Sequence, residues 1–163
     1  MNKTELHIEI APRDLSYAAD VARFQVDMAM ESEGYALDYE RTLKGVESVL
    51  LDDTKGRYVL AVIDGKPVAS LMLTREWSDW NCCWYLWIQS VYVSPDYRKK
   101  GIFMAMYEEV LKLAKSEGVS QVRLYVDKVN RVGGKRKFSS CFRFPTSHTT
   151  VHAGPHTAVP YLQ

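Results

Sequence analysis

Between Val91 and Phe103 the chain reads Val-Tyr-Val-Ser-Pro-Asp-Tyr-Arg-Lys-Lys-Gly-Ile-Phe, so three consecutive cations, Arg98, Lys99 and Lys100, stand directly before Gly101. If a strand ends at Pro95 and a helix opens at Gly101, the free N–H groups of the first helical turn and the positive end of its dipole point outward beside those cations. Such a turn attracts phosphate. A basic surface loop has the same composition, and the turn alone leaves both readings open. Neither GxxxxGK[ST] nor GxGxxG occurs, which removes the main support for a P-loop or a dinucleotide-binding reading. A second group is aromatic and acidic: Glu31, Glu33, Tyr35, Trp77, Asp79, Trp80, Tyr85 and Trp87 could line a pocket for a cationic amine through ring faces and charge. The same tryptophans could equally fill a core.

The remaining reactive side chains point to less. His7 sits in an alternating stretch and reads as a solvated strand residue rather than a base. His148, His152 and His156 repeat every four residues, as helical metal ligands do, but Gly154 and Pro155 interrupt that helix and no metal is expected. Three cysteines, Cys82, Cys83 and Cys141, give neither an even disulfide framework nor a CxxC spacing. A reducing, cytoplasmic setting is the expectation.

These residues are carried by a recognisable series of elements. Leu6, Ile8 and Ile10 alternate as a half-buried strand. A helix is expected from Pro12, with Leu15, Ala18, Val21, Ala22, Val26 and Ala29 at three- and four-residue intervals, ending at Gly34. A second amphipathic helix from Asp38 to about Asp53 carries Leu43, Val46, Val49 and Leu50 on one side. Tyr58 to Ile63 is an apolar strand, and Asp64-Gly65 suits a two-residue hairpin turn into an antiparallel strand from Lys66 to about Thr74. A third long strand spans Cys83 to Val93. Gly101 to Glu117 is the clearest helix, with Gly118 as its stop. Val122, Leu124 and Val126 form a further strand, joined to Cys83–Val93 by a right-handed crossover, so the two should run parallel. The order β-α-α-β-β-β-α-β is a mixed α+β fold.

The 163 residues include 47% hydrophobic and 25% charged side chains, as a folded soluble domain does. No stretch approaches ~18 uninterrupted apolar residues, and no signal peptide is evident. A near-neutral total, with 21 Lys and Arg against 20 Asp and Glu, hides a break: residues 131–163 hold five of the bases and none of the acids. Two parts are therefore expected, a body over 1–130 and a basic tail over 131–163.

At the Arg98 turn the sequence resembles the GNAT superfamily of N-acetyltransferases. Their hallmark, [RQ]-x-x-G-x-[GA] opening a helix after V-x-V-x-P, corresponds to Arg98-Lys99-Lys100-Gly101-Ile102-Phe103 after Val91-Tyr92-Val93-Ser94-Pro95, with Phe103 at the final small position. The Glu76-Trp77-Ser78-Asp79-Trp80 and Trp87-Ile88-Gln89-Ser90-Val91-Tyr92-Val93 blocks look like a subgroup in which Gly-aliphatic-Phe is usual. Leu124-x-Val126-x-x-x-Asn130 is similar to the family's L-x-V-x-x-x-N. The likeness spans about residues 5 to 130.

The resemblance implies a GNAT-like sheet, mostly antiparallel with one splayed parallel pair, and acetyl-CoA as donor in the splay. Val91, Tyr92 and Val93 would then offer main-chain groups to the pantetheine arm. Arg98, Lys99, Lys100, Gly101, Ile102 and Phe103 would cradle the pyrophosphate, Arg98 through its charge, and Asn130 would lie near the thioester. The reaction implied is direct attack by a primary amine of a small molecule or peptide. Gln89 is a candidate to hold a proton-relaying water, Val91 N–H to stabilise the developing oxyanion, and Tyr125 to return a proton to the thiolate. Glu31, Trp77, Trp80, Tyr85 and Trp87 are the candidate acceptor residues.

After Asn130 the chain departs from the family's N-x-x-A-x-x-x-Y. Gly133 replaces the alanine, and no tyrosine follows at its place. Phe138 to Phe142 reads either as a remnant of the usual helix or as part of a substitute tail. Strand Gln121–Val126 should then lose its usual neighbour and leave an edge that invites pairing with another chain or coverage by the tail, and a homodimer is expected. Two other functions stay open: a coenzyme-binding protein with little turnover, and an RNA-binding module using Arg131, Lys135, Arg136 and Lys137.

Overall fold

The computed structural model describes residues 5–124 and 141–143. Tyr125 and Asn130, the basic cluster and the three C-terminal histidines lie outside the described residues. In chain order the elements are β1 (Leu6–Ile10), α1 (Ala18–Glu33), α2 (Tyr39–Leu50), β2 (Arg57–Ile63), β3 (Lys66–Ser78), β4 (Cys83–Val93), α3 (Ile102–Ser116), β5 (Gln121–Leu124) and β6 (Cys141–Arg143). One six-stranded sheet follows the order β1-β2-β3-β4-β5-β6. All neighbours are antiparallel except β4 and β5, which are parallel as the crossover through α3 requires.

Both faces of the sheet are covered, which explains the unbroken apolar run of β2. Alternate residues Val59 and Ala61 join Leu71, Leu73, Leu86, Ile88 and Val122 against Ile102, Met106, Val110 and Ala114 of α3. Tyr58, Leu60 and Val62 face the other way, against Ala18, Val21 and Ala22 of α1 and Val46, Val49 and Leu50 of α2. Leu60, Leu71 and Leu86 are fully buried, and each such side chain contributes about 1.5–3 kcal/mol relative to leaving it in water.

Several local expectations hold and several are corrected. Asp64 and Gly65 both adopt positive φ, 51° and 76°, as the hairpin turn requires. The Asp38 carboxylate accepts from Arg41 N–H at 2.7 Å and caps α2. The first helix, however, starts at Ala18 and not at Pro12. The Asp14 carboxylate accepts from both the N–H and the hydroxyl of Ser16, at 2.8 and 2.5 Å, and this local turn competes with helix over residues 13–17. β3 runs four residues past Thr74, because Arg75, Glu76, Trp77 and Ser78 find partners in Leu86, Tyr85, Trp84 and Cys83. Of the two expected partners for the β5 edge, the tail takes this place: residues Cys141–Arg143 pair antiparallel with Gln121–Arg123, so Cys141 and Phe142 are strand rather than helix remnant.

Candidate functional site

Strand β4 changes character at Ser90. Ser70 lies opposite Tyr92 and Met72 opposite Gln89, so the single Leu71 of β3 faces both Ser90 and Val91. That is a β-bulge, and Ser90 takes the left-handed φ of 53° that accommodates it. Before the bulge, Tyr85, Trp87 and Gln89 look toward the α1/α2 side. After it, Val91 and Val93 join the α3 core while Tyr92 turns to α1. The parallel pairs with β5 run from Tyr85/Gln121 to Ile88/Leu124, and the bulge follows within two residues.

The main chain beyond the bulge is oriented by one bond. Ser94 N–H donates to Val68 O at 2.9 Å, so Ser94 and Val68 form a hydrogen-bonded pair. By antiparallel alternation, the N–H and C=O of Val93, and of Val91 two residues earlier, point away from β3 toward the β5 side. The strand then passes through a 3-10 turn, Pro95–Tyr97, into Lys99 and Gly101, whose φ values are 62° and 79°. Gly101 is the N-cap of α3, and no side chain caps that helix. A Cβ at Gly101 would meet nothing within 4 Å. Lys99, Lys100 and Gly101 are exposed. Ile102 is buried and Phe103 stacks on Tyr107 at 6.2 Å between centroids, so these two can serve a ligand through their N–H groups while their side chains hold the helix down.

Arg98 sits differently from the expectation that its charge faces phosphate. Its Nε donates to Val93 O at 2.8 Å, its Nη2 donates to Glu31 Oε2 at 2.6 Å, and its guanidinium lies 5.5 Å from the Tyr92 ring centroid. Tyr92 O–H donates to the other Glu31 oxygen at 3.2 Å. Burial, reinforced by the Glu31 carboxylate, pushes the Tyr92 hydroxyl up to about 12. Glu31 is thereby a strut from α1 to the end of β4. Lys99 and Lys100 remain as the exposed cations of the turn.

The expected acceptor residues do not form one group. Tyr85 and Trp87 share a face, but Trp77 and Trp84 pack edge to face at 5.2 Å on the opposite, α3 side. Trp80 is 93% exposed in the β3–β4 loop, neither core nor pocket. Glu31 meets β4 at Tyr92, five residues from Trp87 or about 16 Å along a strand. Glu33 and Tyr35 are exposed at the end of α1, and Asp79 is exposed in the hairpin loop.

Three residues not singled out from the sequence join Tyr85, Trp87 and Gln89 instead. Thr74 Oγ1 accepts from Gln89 Nε2 at 3.1 Å. Glu76 accepts the indole N–H of Trp87. Arg123 lies over the Tyr85 and Trp87 rings, 3.9 and 5.2 Å from their centroids. The hairpin register was the signal that could have found the first two, since a pairing extended past Thr74 puts Thr74 opposite Trp87 and Glu76 opposite Tyr85. Among the described residues no group of three or more His, Cys, Asp or Glu could hold a metal. No helix among them is long and apolar enough to cross a membrane.

A family model described as acetyltransferase (GNAT) family matches residues 21–132. No curated protein matches the sequence. A structure from Clostridium difficile 630, described as a possible acetyltransferase, is 33% identical, covers 90% of this chain and 100% of its own, and superposes with a TM-score of 0.70. Ribosomal-protein-alanine N-acetyltransferase from Brucella melitensis biovar Abortus 2308 is similar in fold at 19% identity, with 92% and 100% coverage and a TM-score of 0.67. A predicted acetyltransferase with acetyl-CoA from Clostridium acetobutylicum, 12% identical, covers 86% and 96% with a TM-score of 0.63.

Proposed function

Because the chain belongs to the acetyltransferase (GNAT) family, we propose that it transfers an acetyl group from acetyl-CoA to a primary amine of a small molecule or peptide by direct attack. The observation that carries this reading is the juxtaposition at the end of β4. Main-chain groups of Val91 and Val93 face away from β3, immediately before a basic turn whose helix has no side-chain cap. A pantetheine arm can pair with those groups as an added strand would, sharing Val93 O with Arg98 Nε, and the pyrophosphate can take the N–H groups from Lys99 to Phe103. Gly101 lets phosphate approach because there is no Cβ in the open space beside it.

In the transfer a C–N bond forms, the C–S bond breaks, and the amine proton leaves. An amine of pKa near 10.4 is neutral in about one molecule per 10³ to 10⁴ at pH 7, so help in removing its proton speeds the reaction. Gln89 cannot act as a base. Its Nε2 is committed to Thr74, which leaves Oε1 to accept from a water or from the amine itself. Val91 N–H is the donor assigned to the oxyanion developing on the thioester carbonyl. Tyr125, as proton donor to the thiolate, and Asn130, near the thioester, complete the proposal from sequence.

A second reading, coenzyme binding without turnover, draws on Glu76, the carboxylate beside this group among the described residues: one of its oxygens is bonded to Trp87 and the other lies 3.4 Å from Arg123 Nη1. Thiol release from acetyl-CoA across a panel of primary amines separates the two. Amine-dependent release supports transfer, and coenzyme binding with no release from any amine contradicts it.

A further inference from the structure

Arg123 stands opposite Trp87 in the parallel ladder, which places its side chain on the α1/α2 face of the sheet with Tyr85 and Trp87. Its Cζ lies 3.9 Å from the Tyr85 centroid and 5.2 Å from that of Trp87. A guanidinium resting on rings is fixed in orientation and forms further bonds through the N–H groups in its plane. Nε donates to Gln121 Oε1 at 2.9 Å. Nη1 lies 3.4 Å from Glu76 Oε1, beyond the usual range of about 2.7–3.2 Å. Among the described residues nothing accepts from Nη2. Glu76, by contrast, is held by the Trp87 indole N–H on its other oxygen. The side chain of Arg123 is 23% exposed, so part of it is open to solvent.

This arrangement suits an acceptor other than a simple cation. Opposite charges, Glu76 and Arg123, stand together among the rings, and the cation is the less satisfied of the two. We propose that the acceptor amine carries a carboxylate of its own, that Arg123 takes this carboxylate through its outer N–H groups, and that the amine lies toward Gln89. Trp87 and Gln89 are two residues apart, about 7 Å along the strand. Both groups therefore belong to one small, amino-acid-like molecule. The inference rests on the acetyl-transfer reading, because only then does Gln89 mark where the amine reacts.

N-acetylglycine and N-acetylglycinamide are product-like probes that differ in the carboxylate alone. Calorimetric titration of each, with coenzyme A present, is compared between wild type and Arg123→Gln. A charge-assisted, forked contact predicts that wild type binds the acid about 10- to 100-fold more tightly than the amide. In Arg123→Gln the two should bind alike. Equal binding of acid and amide by wild type, no binding of the acid, or a preference that survives in the variant would each overturn the proposal. Arg123→Lys keeps the charge without the fork and should retain only part of the preference, and the wild-type ratio decides the matter even if neither variant folds. Absence of thiol release from every amine would overturn the acetyl-transfer reading instead, a result read separately from the acid-to-amide ratio.

Discussion

In the proposed site, the Val91 end of β4 offers a ligand main-chain N–H and C=O, whereas the Tyr85 end offers side chains contributed by β3, β4 and β5. Ser90 divides the two. Its bulge shifts the alternation by one residue, so that Val91 and Val93 pack on the α3 side while Gln89 and Tyr92 face α1. The first region needs only the right backbone path, and many side chains satisfy it. The second needs particular residue types from three strands in one register. A donor common to a whole family is suited to the first construction, and an acceptor that varies is suited to the second.

Gly101→Asp should break the donor region most severely, because it sets a carboxylate beside the proposed phosphates. An expected loss of about 100-fold in acetyl-CoA affinity follows from reversing the local charge at a helix N-terminus. Gly101→Ala separates charge from shape: φ is 79°, so it should lower stability by about 1 kcal/mol, and its Cβ, set where the phosphate approaches, should weaken donor binding by about 10-fold, less than the carboxylate does. Equal donor binding by Gly101→Asp and wild type would remove the phosphate site. Gln89→Leu tests the other region and should lower kcat by about 10- to 100-fold with donor affinity unchanged. An unaltered kcat would take Gln89 out of the reaction.

Arg98→Met sharpens the boundary between them. The guanidinium ties Glu31 and Val93 O together, and both partners of the ion pair are partly exposed, so the expected cost is about 1–2 kcal/mol in urea unfolding. Donor affinity should fall far less than in Gly101→Asp. Losses of similar size would return Arg98 to the phosphate.

The smallest effect is expected at Glu117, which follows α3 and is bonded from the face of the sheet opposite Tyr85 and Trp87. Arg57 grips its carboxylate at 2.5 and 2.9 Å and Arg75 at 2.9 Å, and the Arg57 hydrogen bonds above all hold its pKa below the ordinary 4.5. A depressed carboxylate stabilises the fold fully above its unfolded pKa, and that contribution is lost as pH falls through the folded value. Glu117→Gln should therefore cost about 1 kcal/mol at pH 7 and progressively less in acid, with neither binding site affected. A difference from wild type that stays constant as pH falls below 4.5 would contradict this.

The elements were legible where one residue type has few backbone options. Asp64-Gly65, Gly34 and Gly101 all occupy the positive-φ positions that their places in the pattern demand. The turn at Arg98 to Gly101 was likewise readable as a turn, because its backbone geometry is local. The Arg98–Glu31 pair was not legible, since its members stand 67 residues apart. The grouping of the aromatic residues was hidden for the same reason. Trp77 and Tyr85 look alike as aromatic strand residues, but hairpin register puts them on opposite faces, and Arg123 reaches the rings only through the parallel ladder. Which part of the tail covers β5 was not legible, because Cys141–Arg143 show no period that marks a strand and pairing alone defines them.

The central claim is that backbone groups of β4, rather than a reactive side chain, hold the donor. Amide hydrogen exchange of Val91 and Val93, measured with and without coenzyme A, tests it most directly. Strong slowing at both residues on saturation, with Gly101→Asp abolishing the effect, is the expected result. Saturable coenzyme binding that leaves both amides exchanging at their free rates would contradict it.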